Sequence, residues 1–373
     1  MQLPRSTMWL ELAIPLIFHG LPSRLRRVLA GNPIRIDGQT LDPDLQLLLR
    51  LERMTSAGTP AASLARRREH LDVASGIVGG RSLRQVHVRD LRIPAGSSGE
   101  PDIPARLYTP DNLPAGSPLL VYNHGGGWVT GSLNSHDALC RLIALRSGVR
   151  LLSIDYRLAP EHPFPAALTD VLTAWRFARA HAGELGADAG SIALGGDSAG
   201  ANLAAAAAHC VVRSGSVGPD FLLLFYPPAD AVHSSRSREL FGSGFLLTEQ
   251  DIAWFCDHYM PPPIDRADPR ASILLADDLT GMPPTYLVTA GFDPIRDEGE
   301  AYAQRLAAAG VPVVTVRQPD LIHGFVNMIG LTARCREAVI EAAGALRAGL
   351  AMASSGAPGQ TRTDTVRDLN PLP

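Results

Sequence analysis

One short stretch constrains this chain more than any other: Gly196-Asp197-Ser198-Ala199-Gly200, preceded by the apolar run Ile192-Ala193-Leu194 and followed by the alanine-rich stretch Ala201 to Val212. The order predicts a strand, a sharp turn with a serine at its apex, and a helix. Such a turn accounts for the two glycines, because larger side chains two positions to either side of the serine would collide, and the serine backbone itself is strained. The helix that follows aims its first amides and the positive end of its dipole at the serine, where they support a developing negative charge. The G-x-S-x-G pattern occurs once in the chain.

A second strand-to-loop transition lies upstream. Leu119 to Asn123 reads as a buried strand and runs into His124-Gly125-Gly126-Gly127-Trp128. Three adjacent glycines can be a plain flexible turn. At a strand end beside an elbow, however, amides without a nearby Cβ can approach a substrate oxygen closely, and acyl transfer needs N–H donors aimed at a tetrahedral oxyanion. The donors expected are the amides of Gly126 and Gly127 together with that of Ala199. Trp128, beside the loop, is a candidate wall of the substrate pocket.

A serine needs a base, and the base an orienting acid. Of eleven histidines, position selects His323, which follows the expected strand Val313 to Val316 in a loop reading Asp320-Leu321-Ile322-His323-Gly324-Phe325. Open α/β sheets place their chemistry at such strand ends. Thr285 to Gly291 is another expected strand, with Asp293 at its exit as the orienting carboxylate. Asp293 is preferred to Asp297, which reads as a first-turn acid of the next helix. His124 is expected to brace the glycine loop, and His136, His162, His209 and His258 to be surface or core-edge residues. Asp197 is expected to point away from Ser198, in a capping or loop-fixing role. No histidine pair has a metal-ligand context, and Cys140, Cys210, Cys256 and Cys335 are scattered without a C-x-x-C. Neither metal nor cofactor is expected.

With 373 residues and 46% apolar content, the chain can bury a large α/β core. A net charge of −3 gives no footprint for nucleic acid. From about residue 84, expected strands alternate with helices, which predicts a mostly parallel central sheet flanked by helices. Residues 1–75 read as helical with no clear strand.

These motifs resemble the hormone-sensitive-lipase-type family of α/β-hydrolases, in its G-D-S-A-G branch. Further matching segments are Asp155-Tyr156-Arg157-Leu158-Ala159-Pro160-Glu161-His162-Pro163, Gly291-Phe292-Asp293-Pro294 and His323-Gly324-Phe325. The resemblance spans residues 75–350 and implies the α/β-hydrolase fold with a helical cap. It maps Ser198, Asp293 and His323 onto the family's catalytic triad, and Gly126, Gly127 and Ala199 onto its oxyanion hole. Asp155 to Pro163 reads as structural, with Asp, Arg and Glu tying a loop near the site. The implied organisation is an N-terminal helical segment, 1–75, contributing to the cap; a catalytic domain, 76–352, with a cap insertion at 229–270; and a disordered tail, 353–373. Phe245, Trp254, Phe255 and Tyr259 in the insertion either line the site or form the cap's own core.

The function expected is that of a serine carboxylic-ester hydrolase, working through an acyl-enzyme on short- to medium-chain esters. Three alternatives stand beside it: a long-chain triacylglycerol lipase, an amidase on the same fold, and a non-catalytic small-molecule receptor, against which His323 argues. The apolar run Leu12 to Phe18 is too short to span a bilayer and is interrupted by Pro15, and its positive cluster, Arg24, Arg26 and Arg27, follows it rather than leads. A cap helix is expected there, with peripheral contact to a lipid surface as the alternative. The expected compartment is the cytoplasm, with membrane or envelope association as the alternative. The sequence leaves the oligomeric state open.

Overall fold

The computed structural model describes residues 14, 16–56, 63–80, 83–95 and 99–355. Beyond the helical residues 16–20, helix α1 (Ser23–Ala30) is followed by a small hairpin, β1 (Arg35–Ile36) and β2 (Gln39–Thr40), and by helices α2 (Pro43–Ser56) and α3 (Leu64–Val78). Strands β3 (Val86–Ile93), β4 (Ile103–Pro110) and β5 (Ser117–Asn123) come next. Helices and strands then alternate through α4 (Asp137–Ser147), β6 (Arg150–Ile154), α5 (Ala166–Ala180), β7 (Ala187–Asp197), α6 (Ala199–Arg213) and β8 (Phe221–Phe225). Two helices interrupt the alternation, α7 (Arg236–Phe241) and α8 (Glu249–Tyr259), before β9 (Thr285–Phe292), α9 (Arg296–Ala308), β10 (Val313–Ile322) and α10 (Ala333–Ser355).

Strands buried on both faces read as continuous apolar runs, and β8, Phe-Leu-Leu-Leu-Phe, is buried at every position. The eight large-sheet strands lie in the order β10-β9-β8-β7-β5-β6-β4-β3. All pairings are parallel except those of β4, which opposes both β3 and β6. The expected α/β-hydrolase architecture is therefore present. Side chains alternate between faces. Leu119, Val121, Leu222 and Leu224 pack in the core shared with α5, α6 and α9, while Leu120, Tyr122, Leu223 and Phe225 pack in the core shared with α4 and α10. The edge strand β3 turns His87, Arg89, Asp90 and Arg92 to solvent, which blunts it against further pairing.

The topology fixes where a ligand can sit. After β5 the chain moves outward to β6, then returns past β5 to β7 and proceeds the other way. The switch point between β5 and β7 opens a crevice at their C-terminal ends. There Asn123 pairs with Gly196, so the glycine loop and the serine turn leave the sheet side by side.

The N-terminal segment differs from expectation. Residues 35–40 form a true hairpin whose two-residue turn, Asp37 (φ 55°) and Gly38 (φ 74°), has the left-handed geometry that Asp-Gly supplies. Strands of two residues are too short to show alternation, so hydrophobic pattern alone missed them. At the other end, α10 continues to Ser355, three residues into the stretch read as a tail; residues 356–373 lie outside the described residues, as do residues 1–13. Among the described residues no helix is long and apolar enough to cross a membrane.

Candidate active site

Ser198 sits between β7 and α6 with φ 52° and ψ −125°, a conformation that costs an L-residue energy and persists only where the surroundings impose it. Its amide donates to Phe225 O at 2.9 Å and its carbonyl accepts from Asn202 N at 3.0 Å. The flanking glycines have a steric cause. A Cβ on Gly196 would lie 2.5 Å from Asn123 O, and one on Gly200 would overlap the backbone of Asn123 and His124.

His323 follows the last residue of β10, and Asp293 follows the last residue of β9. Asp293 is fully buried and His323 nearly so. His323 Nδ1 donates to Asp293 Oδ2 at 2.8 Å, which leaves Nε2 as an acceptor facing Ser198 Oγ at 3.0 Å. The second Asp293 oxygen accepts from the Ile295 amide at 2.9 Å, and the Tyr226 ring packs 4.5 Å from the imidazole. Asp297 is directed elsewhere: its carboxylate accepts from the Ser237 amide and from Arg296 Nε.

The glycine loop is held from below. Its amide at Gly125 donates to Asp197 Oδ1 at 3.0 Å, and Tyr122 Oη donates to the same oxygen at 2.8 Å. Asp197 thus points away from Ser198 and fixes the loop, one of the two roles expected for it. Burial alone would raise its carboxyl pKa; the facing His136 and the Tyr122 hydroxyl outweigh burial and hold it below the usual carboxylate range. His124 Nδ1 donates to Gly125 O at 2.8 Å and its ring stacks on Tyr156. Burial, with His136 nearby, pushes His124 down to about 3, so it is neutral. Thr130 N and Oγ1 both donate to Gly126 O, closing the turn. The amides of Gly126, Gly127 and Ala199 take no partner among the described residues, and all three residues line one cavity with Ser198 and His323.

His136 corrects the expectation of a core-edge residue. It is buried and lines the same cavity, with Nε2 3.2 Å from Asp197 Oδ1 and 3.1 Å from Asn327 Nδ2. Its neighbour in sequence, Ser135, meets Nδ1 at 2.8 Å. His162, His209 and His258 lie outside the cavity.

The cavity measures about 280 Å³. Leu71 of α3 and Ile252 and Phe255 of α8 form its apolar walls, while Arg238, Asp230 and Glu298 contribute polar groups. Glu298 accepts from the Ala229 amide at 2.9 Å and from Arg238 Nη2 at 3.1 Å; burial drives its carboxyl up to about 7 against the pull of Arg238. Trp128 lines the cavity, yet its ring stacks on Tyr259 at 4.6 Å and is largely buried. Of the four aromatics singled out in the insertion, Phe255 reaches the cavity, while Phe245 packs on Phe241 and Phe292, Tyr259 on Trp128, and Trp254 under Arg67. Phe255 covers Gly127 so closely that a Cβ there would overlap its ring. The structural segment after β6 is tied as expected, Arg157 to Asp170 and Glu161 to Arg68. Among the described residues no cluster of three or more His, Cys, Asp or Glu could hold a metal ion.

A family profile described as the α/β-hydrolase fold matches residues 120–327. The chain belongs to this family, the hormone-sensitive-lipase-like esterases of the α/β-hydrolases. Among its α/β-hydrolase relatives is the carboxylic ester hydrolase LipN of Mycobacterium tuberculosis, 44% identical over 339 residues that span 88% of this chain and 89% of the relative. An ethyl acetate hydrolase of Pseudomonas putida is 36% identical over 316 residues, 83% of this chain and 99% of its own. Among solved structures, an ester hydrolase from the metagenome of Lake Arreo, in complex with a derivative of bipyridine phosphonate, superposes with a TM-score of 0.79 at 39% identity, covering 83% of this chain and 99% of that one.

Proposed function

We propose that this chain is a serine carboxylic-ester hydrolase that works through an acyl-enzyme on short- to medium-chain acyl esters. The observation that carries the reading is the hydrogen-bonded line from Asp293 through His323 to Ser198. In it, His323 Nε2 takes the Ser198 proton as Oγ attacks the ester carbonyl carbon. The amides of Gly126, Gly127 and Ala199 hold the oxyanion, assisted by the N-terminus of α6. His323 then passes the proton to the departing alcohol, and water repeats the cycle to release the acid. Asp293 keeps the imidazole in the required tautomer and balances its charge.

The substrate class rests on the cavity and on the relatives. A space of about 280 Å³ walled by Leu71, Ile252 and Phe255 suits a small apolar acyl group better than a long chain. The ethyl acetate hydrolase among the relatives acts on an ester of that kind. We assign α3 and the 229–270 insertion to a cap over the site, Trp128 to the base of its wall, and the protein to the cytoplasm, where its four free thiols stay reduced.

Two measurements test the reading. Hydrolysis of p-nitrophenyl esters from acetate to palmitate should give kcat/KM peaking at the short to medium esters; a maximum at palmitate, sharpened by an emulsified interface, would favour a lipase. An organophosphonate should label Ser198 stoichiometrically and abolish turnover, and labelling of another residue would overturn the assignment.

A further inference from the structure

Ten large hydrophobics among the described residues are well exposed, and four of them fall within residues 16–29: Leu16, Leu25, Val28 and Leu29. On α1, Leu25, Val28 and Leu29 stand at i, i+3 and i+4, the spacing of a single helical face. Such a face ordinarily turns toward a core. Here the order is inverted. The inward side carries Arg26, which pairs with Asp44 at 2.8 Å and donates to Phe18 O and Leu21 O, and Ala30, the one buried residue of the helix. Val28 is 74% exposed.

The charge around this face has one sign. From Leu12 to Ile36 the sequence holds Arg24, Arg26, Arg27 and Arg35 and no acid, in a chain of net charge −3. Arg26 is neutralised by Asp44, while Arg24, Arg27 and Arg35 are exposed. An apolar stripe bordered along one side by the exposed Arg24, with Arg27 beyond it, matches the boundary between acyl chains and anionic headgroups. A second copy of the chain fits less well, since a two-fold contact through this face would bring Arg24 and Arg27 near their own equivalents.

We propose that α1 is an interfacial anchor, laying Leu25, Val28 and Leu29 into the headgroup boundary of an anionic phospholipid surface with Arg24 and Arg27 on the phosphates. The inference stands apart from the hydrolytic assignment, because binding is read by sedimentation and turnover serves only as a control for folding.

The test is co-sedimentation of the full chain with vesicles of phosphatidylcholine alone and of phosphatidylcholine mixed with phosphatidylglycerol, at low and high salt. Wild type should partition onto the mixed vesicles about tenfold or more above the neutral ones, and less at high salt. Leu25→Gln/Val28→Gln and Arg24→Gln/Arg27→Gln should each lose about tenfold or more, while hydrolysis of p-nitrophenyl acetate in solution stays at the wild-type rate and reports a folded protein. Equal partitioning of wild type and both variants overturns the proposal, as does absence of wild-type binding. Conversion of a dimer to a monomer by Leu25→Gln/Val28→Gln, without vesicle binding by wild type, would assign the face to a second copy instead.

Discussion

Gly127→Ala offers the sharpest probe of how the site is assembled. Gly127 has φ +60°, and a Cβ built there overlaps the Phe255 ring of α8. Two separate costs follow. The left-handed backbone penalises alanine by about 1–2 kcal/mol, and the overlap, with the Cβ 2.2 Å from the ring, requires the loop or the ring to move by roughly 1.5 Å to regain ordinary carbon contacts of ~3.5–4.0 Å. Displacement on that scale at a reacting centre costs about 10²-fold, and misplacing an oxyanion donor costs ~10²–10³. Gly127→Ala should therefore lower kcat/KM for p-nitrophenyl acetate by about 10²–10³. Removing the ring relieves the overlap but leaves the backbone cost. Gly127→Ala/Phe255→Ala should thus fall within about tenfold of Phe255→Ala alone, a coupling of ~1.4 kcal/mol or more. Acetate is the right substrate because its acyl group is too small to need Phe255 as a wall. The four proteins form a double-mutant cycle, and strictly additive losses would falsify the idea that the helix presses on the loop at Gly127.

Ser198→Ala should reduce turnover by about 10⁶, leaving only what binding and oxyanion stabilisation provide, and should abolish phosphonate labelling. Asp197→Asn should lower kcat for acetate about tenfold or more with little change in KM, since the carboxylate positions Gly125 and His136 rather than touching substrate. Its carboxyl is held below the ordinary range, so the stability it contributes is full above that range and lost as pH falls through the depressed value. Urea unfolding of wild type and Asp197→Asn should differ constantly at neutral pH and converge in acid. Glu298 has the opposite sign: raised from 4.5 to about 7, its protonated form belongs to the folded state, and the stability linked to it is full below the ordinary value and lost as pH rises through the raised one. The stability of wild type relative to Glu298→Gln should therefore fall by up to ~3 kcal/mol over that window, measured by urea unfolding at stepped pH. A flat difference would refute the burial argument.

Much of the site was readable because its chemistry is written into local backbone geometry. An elbow that tolerates only glycine at 196 and 200, and a strand end with three glycines, announce themselves in contiguous residues. Asp293 and His323 were placed by strand ends, and the preference over Asp297 follows from the same logic, since Asp297 points along α9 to Ser237. What sequence could not supply was contact across long separations. His136 meets Asp197 across 61 residues, and nothing in its surroundings distinguishes it from a surface histidine. Phe255 lay among four aromatics of one segment, Phe245, Trp254, Phe255 and Tyr259, and which of them met the glycine loop depended on how α8 docks. The Asp37-Gly38 turn did carry a signal, in the dipeptide itself, but its strands are too short for periodicity to confirm it.

The hairpin bears on how this protein can be shortened. Asp37 takes an ion pair from Arg296 at 3.0 Å, Gln39 donates to Gly291 O at 3.4 Å, and the Asp42 amide donates to Asp320 O at 2.9 Å. These tethers land on the outgoing ends of β9 and β10 and on the first residue of α9, and the spacing of the two strand ends sets the contact between Asp293 and His323. Trimming that stops at Gly31 keeps this splint, whereas cutting past Asp42 frees both strand ends at once. A nested set of amino-terminal deletions should accordingly lose activity in a single step and not by degrees.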